Sequence, residues 1–189
     1  MSANKITFGL KNVHYSIAEE TSDGSWTFET PAKLPGAQEF TSDALGGTTP
    51  VYADDQIITT LVANGGRTIS LKVTELPDDF KVNILGYKVL DNGNYVEVAN
   101  VKPVTFALGC EIQGDVKARR IWFYLCNVAP ISESSKSKGE SIEANGITLN
   151  ITVRPLQVSN DYAITNVSAR PGDSNYASFF TKAPEIPSL

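Results

Sequence analysis

The sequence has little of the chemistry that catalytic and metal sites need. It contains one histidine, His14, and two cysteines, Cys110 and Cys126, among 189 residues. One histidine and two widely separated cysteines do not supply the clustered nitrogen and sulfur ligands of a structural zinc site. A hydrolase of the serine–histidine–carboxylate type also has only His14 to draw on. The sequence therefore gives no sign of an enzyme, and we expect no cofactor and no metal.

Three short motifs resemble catalytic blocks, but each has a simpler explanation. Tyr52-Ala53-Asp54-Asp55 resembles the paired-aspartate turn of polymerase palms, without the further carboxylates and supporting helices that a palm needs. Gly172-Asp173-Ser174 resembles an esterase nucleophile block that belongs on a first strand, whereas here it lies near the end of the sequence. The serines and lysines of 132–138 lack the glycine pattern of a phosphate loop. We interpret all three as turns or solvated loops.

Positive charge is scarce. The chain has 16 Lys and Arg against 21 Asp and Glu, a net charge of −5. Phosphate-binding proteins usually carry a basic face, and Arg119-Arg120 is the only adjacent arginine pair, which argues against a nucleic-acid-binding protein. The acids could line a channel that repels DNA, or could simply keep the protein in solution, and the sequence supports both interpretations equally.

Long hydrophobic runs are absent too. Residues 1–4 lead directly into a strand pattern, without the charged and apolar regions of a signal peptide. No run is long enough to span a bilayer as a helix, so we expect no membrane partner and synthesis in the cytoplasm. We therefore predict that Cys110 and Cys126 are reduced and buried. The alternative is a cross-strand disulfide, since the two cysteines lie on successive predicted strands, but a turn near Gly114-Asp115 would place Cys110 opposite a residue near Ile121 rather than opposite Cys126.

The sequence is rich in short β-forming runs that Gly, Pro, Asn and Asp interrupt. Alternating apolar residues predict half-buried strands, with a bulge near Lys11-Asn12 where the alternation slips. The denser run at 119–128 predicts a strand that is covered on both faces. We predict a mainly β fold, a β-sandwich or barrel, in one domain at 1–170 with a C-terminal tail at 171–189. Strands are predicted at 6–17, 57–63, 67–74, 104–112, 119–128 and 147–153.

The segment 67–86 changes from a strand period to a helix period. Its first part alternates apolar and polar residues, whereas Leu76, Phe80 and Ile84 recur every four residues. This spacing predicts one short flanking helix at about 75–85, with these three residues as its packing face. The residues expected to be exposed or to contact a neighbouring subunit are Asp78, Asp79, Lys81 and Asn83.

From about 19 to 55 the pattern loosens, because prolines and glycines interrupt it repeatedly. So long a stretch of weak structure is unusual in a compact domain unless it has a function, and its apolar residues argue against simple disorder. We predict a long loop or arm that a partner subunit orders, followed by a strand at 57–63 and a tight turn at Asn64-Gly65-Gly66. The candidate interface residues of this arm are Trp26, Phe28, Phe40, Leu45, Val51 and Tyr52.

Several segments, taken in order, carry a family resemblance. They are 9–15, 52–55, 68–86, 106–109, 119–124 and 138–143. Their order and spacing resemble the major tail protein family of long-tailed phages (siphophages), particularly those of Gram-positive hosts. The resemblance covers about 4–156, and the C-terminal residues carry little of it.

The resemblance implies a tail-tube fold and a structural virion protein without catalytic residues. Such proteins self-assemble into stacked rings, typically hexameric, that form the tail tube and conduct DNA into the host. The implied partners are further copies of the chain, a tape-measure protein, a tail terminator, and distal tail or baseplate proteins. DNA would pass through the lumen without specific binding, and assembly would take place in the host cytoplasm.

A second interpretation is a monomeric β-sandwich binding or head-decoration module of a phage. It explains the strands, loops and acidity equally well. Exposed aromatic residues clustered on one face would favour it, whereas Trp26 and Trp122 lie on unlike segments. Rings or tubes of the purified protein would favour the tail protein, and monomers at every concentration would favour the module.

Overall fold

The computed structural model describes residues 6–102, 104–114, 116–131 and 146–188. Within these ranges the chain has thirteen strands and one short helix, so the predicted mainly β fold with a short helix is confirmed. The helix α1 spans Asp78–Asn83. The strands are β1 (Thr7–Glu20), β2 (Trp26–Phe28), β3 (Ala32–Lys33), β4 (Ala37–Ala53), β5 (Gln56–Val73), β6 (Lys88–Val89), β7 (Tyr95–Val96), β8 (Phe106–Gly114), β9 (Arg119–Val128), β10 (Ile147–Val153), β11 (Leu156–Gln157), β12 (Ala163–Ile164) and β13 (Asn166–Ala169).

Nine of these strands form one large antiparallel sheet. Its main path runs β2-β1-β8-β9-β10-β5-β4, while β13 pairs with β9 and β3 pairs with β1. The strands β6 and β7 form a separate small hairpin, as do β11 and β12. Because β1 also contacts β4, the sheet curves around its own core, which is consistent with a sandwich or barrel-like fold.

The main core lies inside this curved sheet and beneath α1. Leu76, Phe80 and Ile84 are all fully buried there. The Phe80 ring packs edge-on against Tyr15 at 5.0 Å and against Phe106 at 5.9 Å. The predicted helix at about 75–85 is too long, because Pro77 keeps an extended ψ of 143° at the N-cap. Leu76 and Ile84 therefore lie just outside α1, although both face the core.

The strand β9 is covered on both faces, as predicted. Ile121 and Phe123 face the main core, while Trp122 lies on the opposite face with Phe179 and Phe180. The Trp122 indole N–H donates to the Phe179 carbonyl at 2.8 Å. The segment predicted as a C-terminal tail is thus packed against the sheet and forms its outer layer.

Both cysteines are free and buried, as predicted. Cys110 lies opposite Ile121 in the β8–β9 register, which is the pairing that the expected turn requires. Burial raises the pKa of the Cys110 thiol to about 12, and it raises the pKa of Cys126 as well. The bulge predicted in β1 is present too, since the register with β8 shifts and Asn12 has a φ of 51°.

The long loop predicted at about 19–55 is wrong in its second half. Residues 37–53 form β4, which pairs with β5 along its length. The turn predicted at Asn64-Gly65-Gly66 is also wrong, because β5 runs unbroken from Gln56 to Val73. The chain reverses instead at Asp54-Asp55, whose φ values of 51° and 59° match a type I′ hairpin turn.

Glycines that suggested turns serve a different purpose in this hairpin. The register shifts between Leu45 and Gly46. A Cβ atom on Gly46 would lie 2.1 Å from the Ala63 carbonyl oxygen, and one on Gly66 would lie 2.1 Å from the Val153 carbonyl oxygen. Glycine is therefore needed at a bulge where backbones approach closely.

Candidate functional site

The strands β4 and β5 continue as a two-stranded ribbon beyond the rest of the sheet. β10 pairs with β5 only along Arg67–Val73. Residues 44–66, called the outer hairpin from here on, therefore have no neighbouring strand on either edge among the described residues. Every residue from 44 to 65 is exposed except Val51, which is half-buried.

Apolar side chains occupy both faces of the outer hairpin. The register places Thr49 beside Leu61 on one face and Thr48 beside Val62 on the other. Tyr52 pairs with Ile57 on the same face as Val62. The exposed fractions are 65% for Tyr52, 57% for Ile57, 61% for Leu61 and 75% for Val62. A partner can therefore bury apolar surface on either side of this ribbon.

The outer hairpin also lacks the protection that exposed strand edges usually have. Apart from Asp54 and Asp55 at its tip, it contains no charged residue. Proteins commonly protect open edges with lysine, proline or bulges, and here Pro50 and two register shifts supply only part of that protection. An isolated two-stranded hairpin is marginally stable in water. The outer hairpin therefore leaves apolar surface and unpaired strand edges exposed in the described part of the chain.

The root of the hairpin is firmly held by the domain. The Arg67 guanidinium donates to the Ser42 hydroxyl at 2.8 Å and to the Ser42 carbonyl at 3.2 Å, which ties β5 to β4. The Phe40 ring packs against Phe123 of β9 at 5.8 Å. These contacts fix the direction in which the ribbon leaves the domain.

The six predicted arm residues fall into two groups. Leu45, Val51 and Tyr52 lie in the outer hairpin, whereas Phe40 lies at its root. Trp26 and Phe28 lie on β2, and both are half-buried. The Phe28 ring is 5.6 Å from that of Tyr124, and the Trp26 ring is 5.9 Å from the Arg154 guanidinium. The two β2 residues therefore serve packing within the domain.

Sequence reasoning missed the apolar residues of the returning strand, which are Ile57, Ile58, Leu61 and Val62. The run at 57–62 predicts a strand, and the absence of charged residues from this run indicates that the strand pairs with a neighbour. Its exposure could not be predicted, because a buried strand would have the same composition.

The polar face of α1 lies next to a second exposed apolar surface. Asp78, Asp79 and Asn83 are exposed, while Lys81 is half-buried and pairs with Asp78 at 3.2 Å. The small hairpin β6–β7 bonds to this face, since Asp78 accepts a hydrogen bond from Tyr95 that raises the pKa of that phenol. Its exposed apolar residues are Val89, Leu90, Tyr95 and Val96.

A buried ionic cluster at Glu111 has a structural explanation. Burial would raise the pKa of Glu111, but hydrogen bonds from Arg120 at 2.9 Å and Asn12 at 3.1 Å hold it below its usual value. Nearby, the His14 ring stacks on Phe180 at 4.7 Å, and burial lowers the pKa of His14. Among the described residues no buried side-chain polar atom lacks a partner. The cluster holds the outer layer on the sheet, since Arg120 also donates to the Tyr176 carbonyl.

Across the described ranges, no group of three or more His, Cys, Asp or Glu could hold a metal ion. In the same part of the chain, no helix is long and apolar enough to cross a membrane. A scan against protein-family models and a search of curated proteins both find no match. The outer hairpin is therefore the feature from which a function can be argued.

Proposed function

We propose that this chain is a structural subunit that self-assembles into stacked rings, hexameric as in the family it resembles, to form a phage tail tube. The observation that carries the proposal is the outer hairpin, which has two edges that no described strand pairs and apolar side chains on both faces. Identical subunits arranged in a ring can pair such edges with one another, which removes the exposed backbone groups from water.

The outer hairpin is large enough for such a contact. It is about ten residues long on each strand, so at about 3.3 Å per residue and about 10 Å of width its two faces present roughly 660 Å². A stable protein interface buries about 800 Å² on each partner. The hairpin alone therefore provides most of one subunit's share, and the small hairpin β6–β7 offers further apolar surface.

The charge distribution supports a conduit better than a DNA-binding surface. The outer hairpin carries no basic residue, and the whole chain has a net charge of −5. DNA moving along a neutral or acidic wall slides because nothing holds its phosphates. The proposal includes assembly in the host cytoplasm around a tape-measure protein, with a tail terminator and distal tail or baseplate proteins at the ends. It includes no enzymatic activity and no cofactor.

The binding-module alternative lacks an aromatic platform in the described part of the chain. The exposed large aromatic side chains are Phe8, Tyr52, Tyr95 and Tyr162, which lie on four different segments. A carbohydrate-binding face would gather such rings on one surface.

The proposal is tested with a short-hairpin variant in which Asn-Gly replaces residues 46–65. Leu45 pairs with Gly66, so this turn closes the hairpin where it leaves the domain. Sedimentation velocity over a concentration series, with negative-stain microscopy, should show rings or tubes for the wild type and monomers for the variant. Because the removed residues are exposed, the variant should keep the wild-type melting temperature. Wild-type protein that stays monomeric at every concentration would overturn the proposal.

A further inference from the structure

A groove lies beside the root of the outer hairpin, between the free edges of β4 and β13. Its volume is about 550 Å³, and its apolar lining consists of the half-buried Phe40 and the buried Ile121 and Phe123. Arg67 and Arg119 also line it. Among the described strands, β4 pairs only with β5, and β13 only with β9. This root groove is thus bounded by two unpaired edges and carries two positive charges.

Neither arginine of the root groove has a carboxylate partner in the described part of the chain. The ion pairs found there join Lys11 and Arg120 to Glu111, and Lys81 to Asp78. Arg67 uses Nε and one terminal nitrogen on Ser42, which leaves further N–H donors available. Two arginines that lack a carboxylate partner among the described residues, in a chain of net charge −5, make the groove a suitable place for an anionic group.

The outer hairpin carries a matching anionic group at its tip. Asp54 and Asp55 are exposed and have no ion pair in the described ranges. Their positive φ values place both in the two central positions of the turn. Tyr52 and Ile57 form the second cross-strand pair from the turn, after Ala53 and Gln56, and supply apolar surface near the two carboxylates.

We propose that the hairpin tip of one subunit docks in the root groove of a second copy. The carboxylates of Asp54 and Asp55 then pair with Arg67 and Arg119, and Tyr52 and Ile57 pack against the half-buried Phe40. This inference rests on the proposed function, because it names the surfaces through which the subunits join.

The contact must form between molecules. The tip lies nine residues beyond Leu45, which is about 30 Å at 3.3 Å per residue, so a straight ribbon holds it far from its own root groove. The tip and the groove are different surfaces, which makes the contact head-to-tail. Head-to-tail contacts between identical subunits build rings or open helical filaments. Docking of this kind therefore joins subunits into a closed ring or an open helical filament.

A double-mutant cycle tests the pairing. Asp54→Asn with Asp55→Asn removes the charges while keeping a residue that tolerates positive φ, and Arg119→Gln removes a guanidinium that makes no hydrogen bond to the described residues. Each change should weaken association on the order of tenfold or more, measured by sedimentation velocity. The variant that combines all three substitutions should associate no more weakly than the more strongly affected of its two parent variants. Lys102→Gln, an exposed charge outside the groove, is the matched control and should assemble like the wild type.

The outcomes separate the inference from the proposed function. Wild-type protein that never assembles would overturn both. Wild-type assembly with unaffected variants, or with effects that simply add in the combined variant, would overturn the inference alone.

A mixing experiment gives a second test. The short-hairpin variant keeps the root groove and lacks a tip, so substoichiometric amounts should stop the growth of wild-type assemblies. Adding Arg119→Gln to the short-hairpin variant should remove most of this inhibition. Equal inhibition by both proteins would contradict docking in the groove.

Discussion

The Val62→Lys substitution places a charge at the most exposed apolar side chain of the outer hairpin. Val62 is 75% exposed, and its register partner is Thr48. Since the side chain makes little contact within its own subunit, we expect the free energy of unfolding to change by less than about 0.5 kcal/mol. The domain should fold and melt like the wild type.

The effect on association should be much larger. Fully burying a valine side chain contributes about 1.5 to 3 kcal/mol, and three-quarters of Val62 is available for burial in a contact. Three-quarters of that value is about 1.1 to 2.3 kcal/mol, and loss of at least about 1.1 kcal/mol weakens association by roughly sevenfold or more, before the cost of burying the lysine charge is added. The concentration at which assemblies first appear, measured by light scattering and sedimentation velocity, should rise by at least this factor.

Val89→Lys on the small hairpin is the matched control. Val89 is 52% exposed and lies on β6, so the same chemical change is made on a different apolar surface. We expect Val89→Lys to affect assembly less than Val62→Lys does. Normal assembly of the Val62→Lys protein would refute the reasoning. A stronger effect of Val89→Lys would show that the main contact between subunits is made by the small hairpin β6–β7.

Further predictions concern the fold that holds the hairpin. Phe80→Ala should lower the free energy of unfolding by about 3 to 5 kcal/mol in urea titrations, because Phe80 is fully buried against Tyr15. Burial lowers the pKa of His14 from 6.5, so its contribution to stability is present above pH 6.5 and is lost as the pH falls through the lowered value. His14→Phe, which keeps a ring for stacking, should lack this part of the pH dependence; an unchanged profile would contradict the assignment. Cys110 and Cys126 should resist iodoacetamide in the folded protein and react in urea, because burial raises the pKa of both thiols.

The inner face of the fold could be predicted from sequence, because burial selects apolar residues at regularly spaced positions. The alternation in 147–153 fixed β10, and the dense run in 119–128 indicated a strand with two covered faces. Leu76, Phe80 and Ile84 were recognised as one packing face, although Pro77 shortened the helix that they suggested. In each case the core selects apolar residues at regular positions, so the pattern survives in the sequence.

The first strand of the outer hairpin, at 44–53, could not be predicted in the same way, because none of its residues is buried in the core. Its side chains are exposed or half-buried on both faces, so apolar and polar positions do not alternate in a way that marks a strand. The apolar run at 57–63, by contrast, correctly predicted the returning strand. Gly46 and Gly66 suggested breaks, whereas the structure uses them for close backbone approach. The packing of Phe179 and Phe180 on Trp122 was missed for another reason, since it joins segments that are distant in the sequence.

Negative-stain microscopy of the concentrated wild-type protein, beside the short-hairpin variant, tests the central claim most directly. The account predicts rings or tubes for the wild type and dispersed monomers for the variant, with equal melting temperatures for both. Monomers alone for the wild type, or normal tubes from the short-hairpin variant, would contradict it.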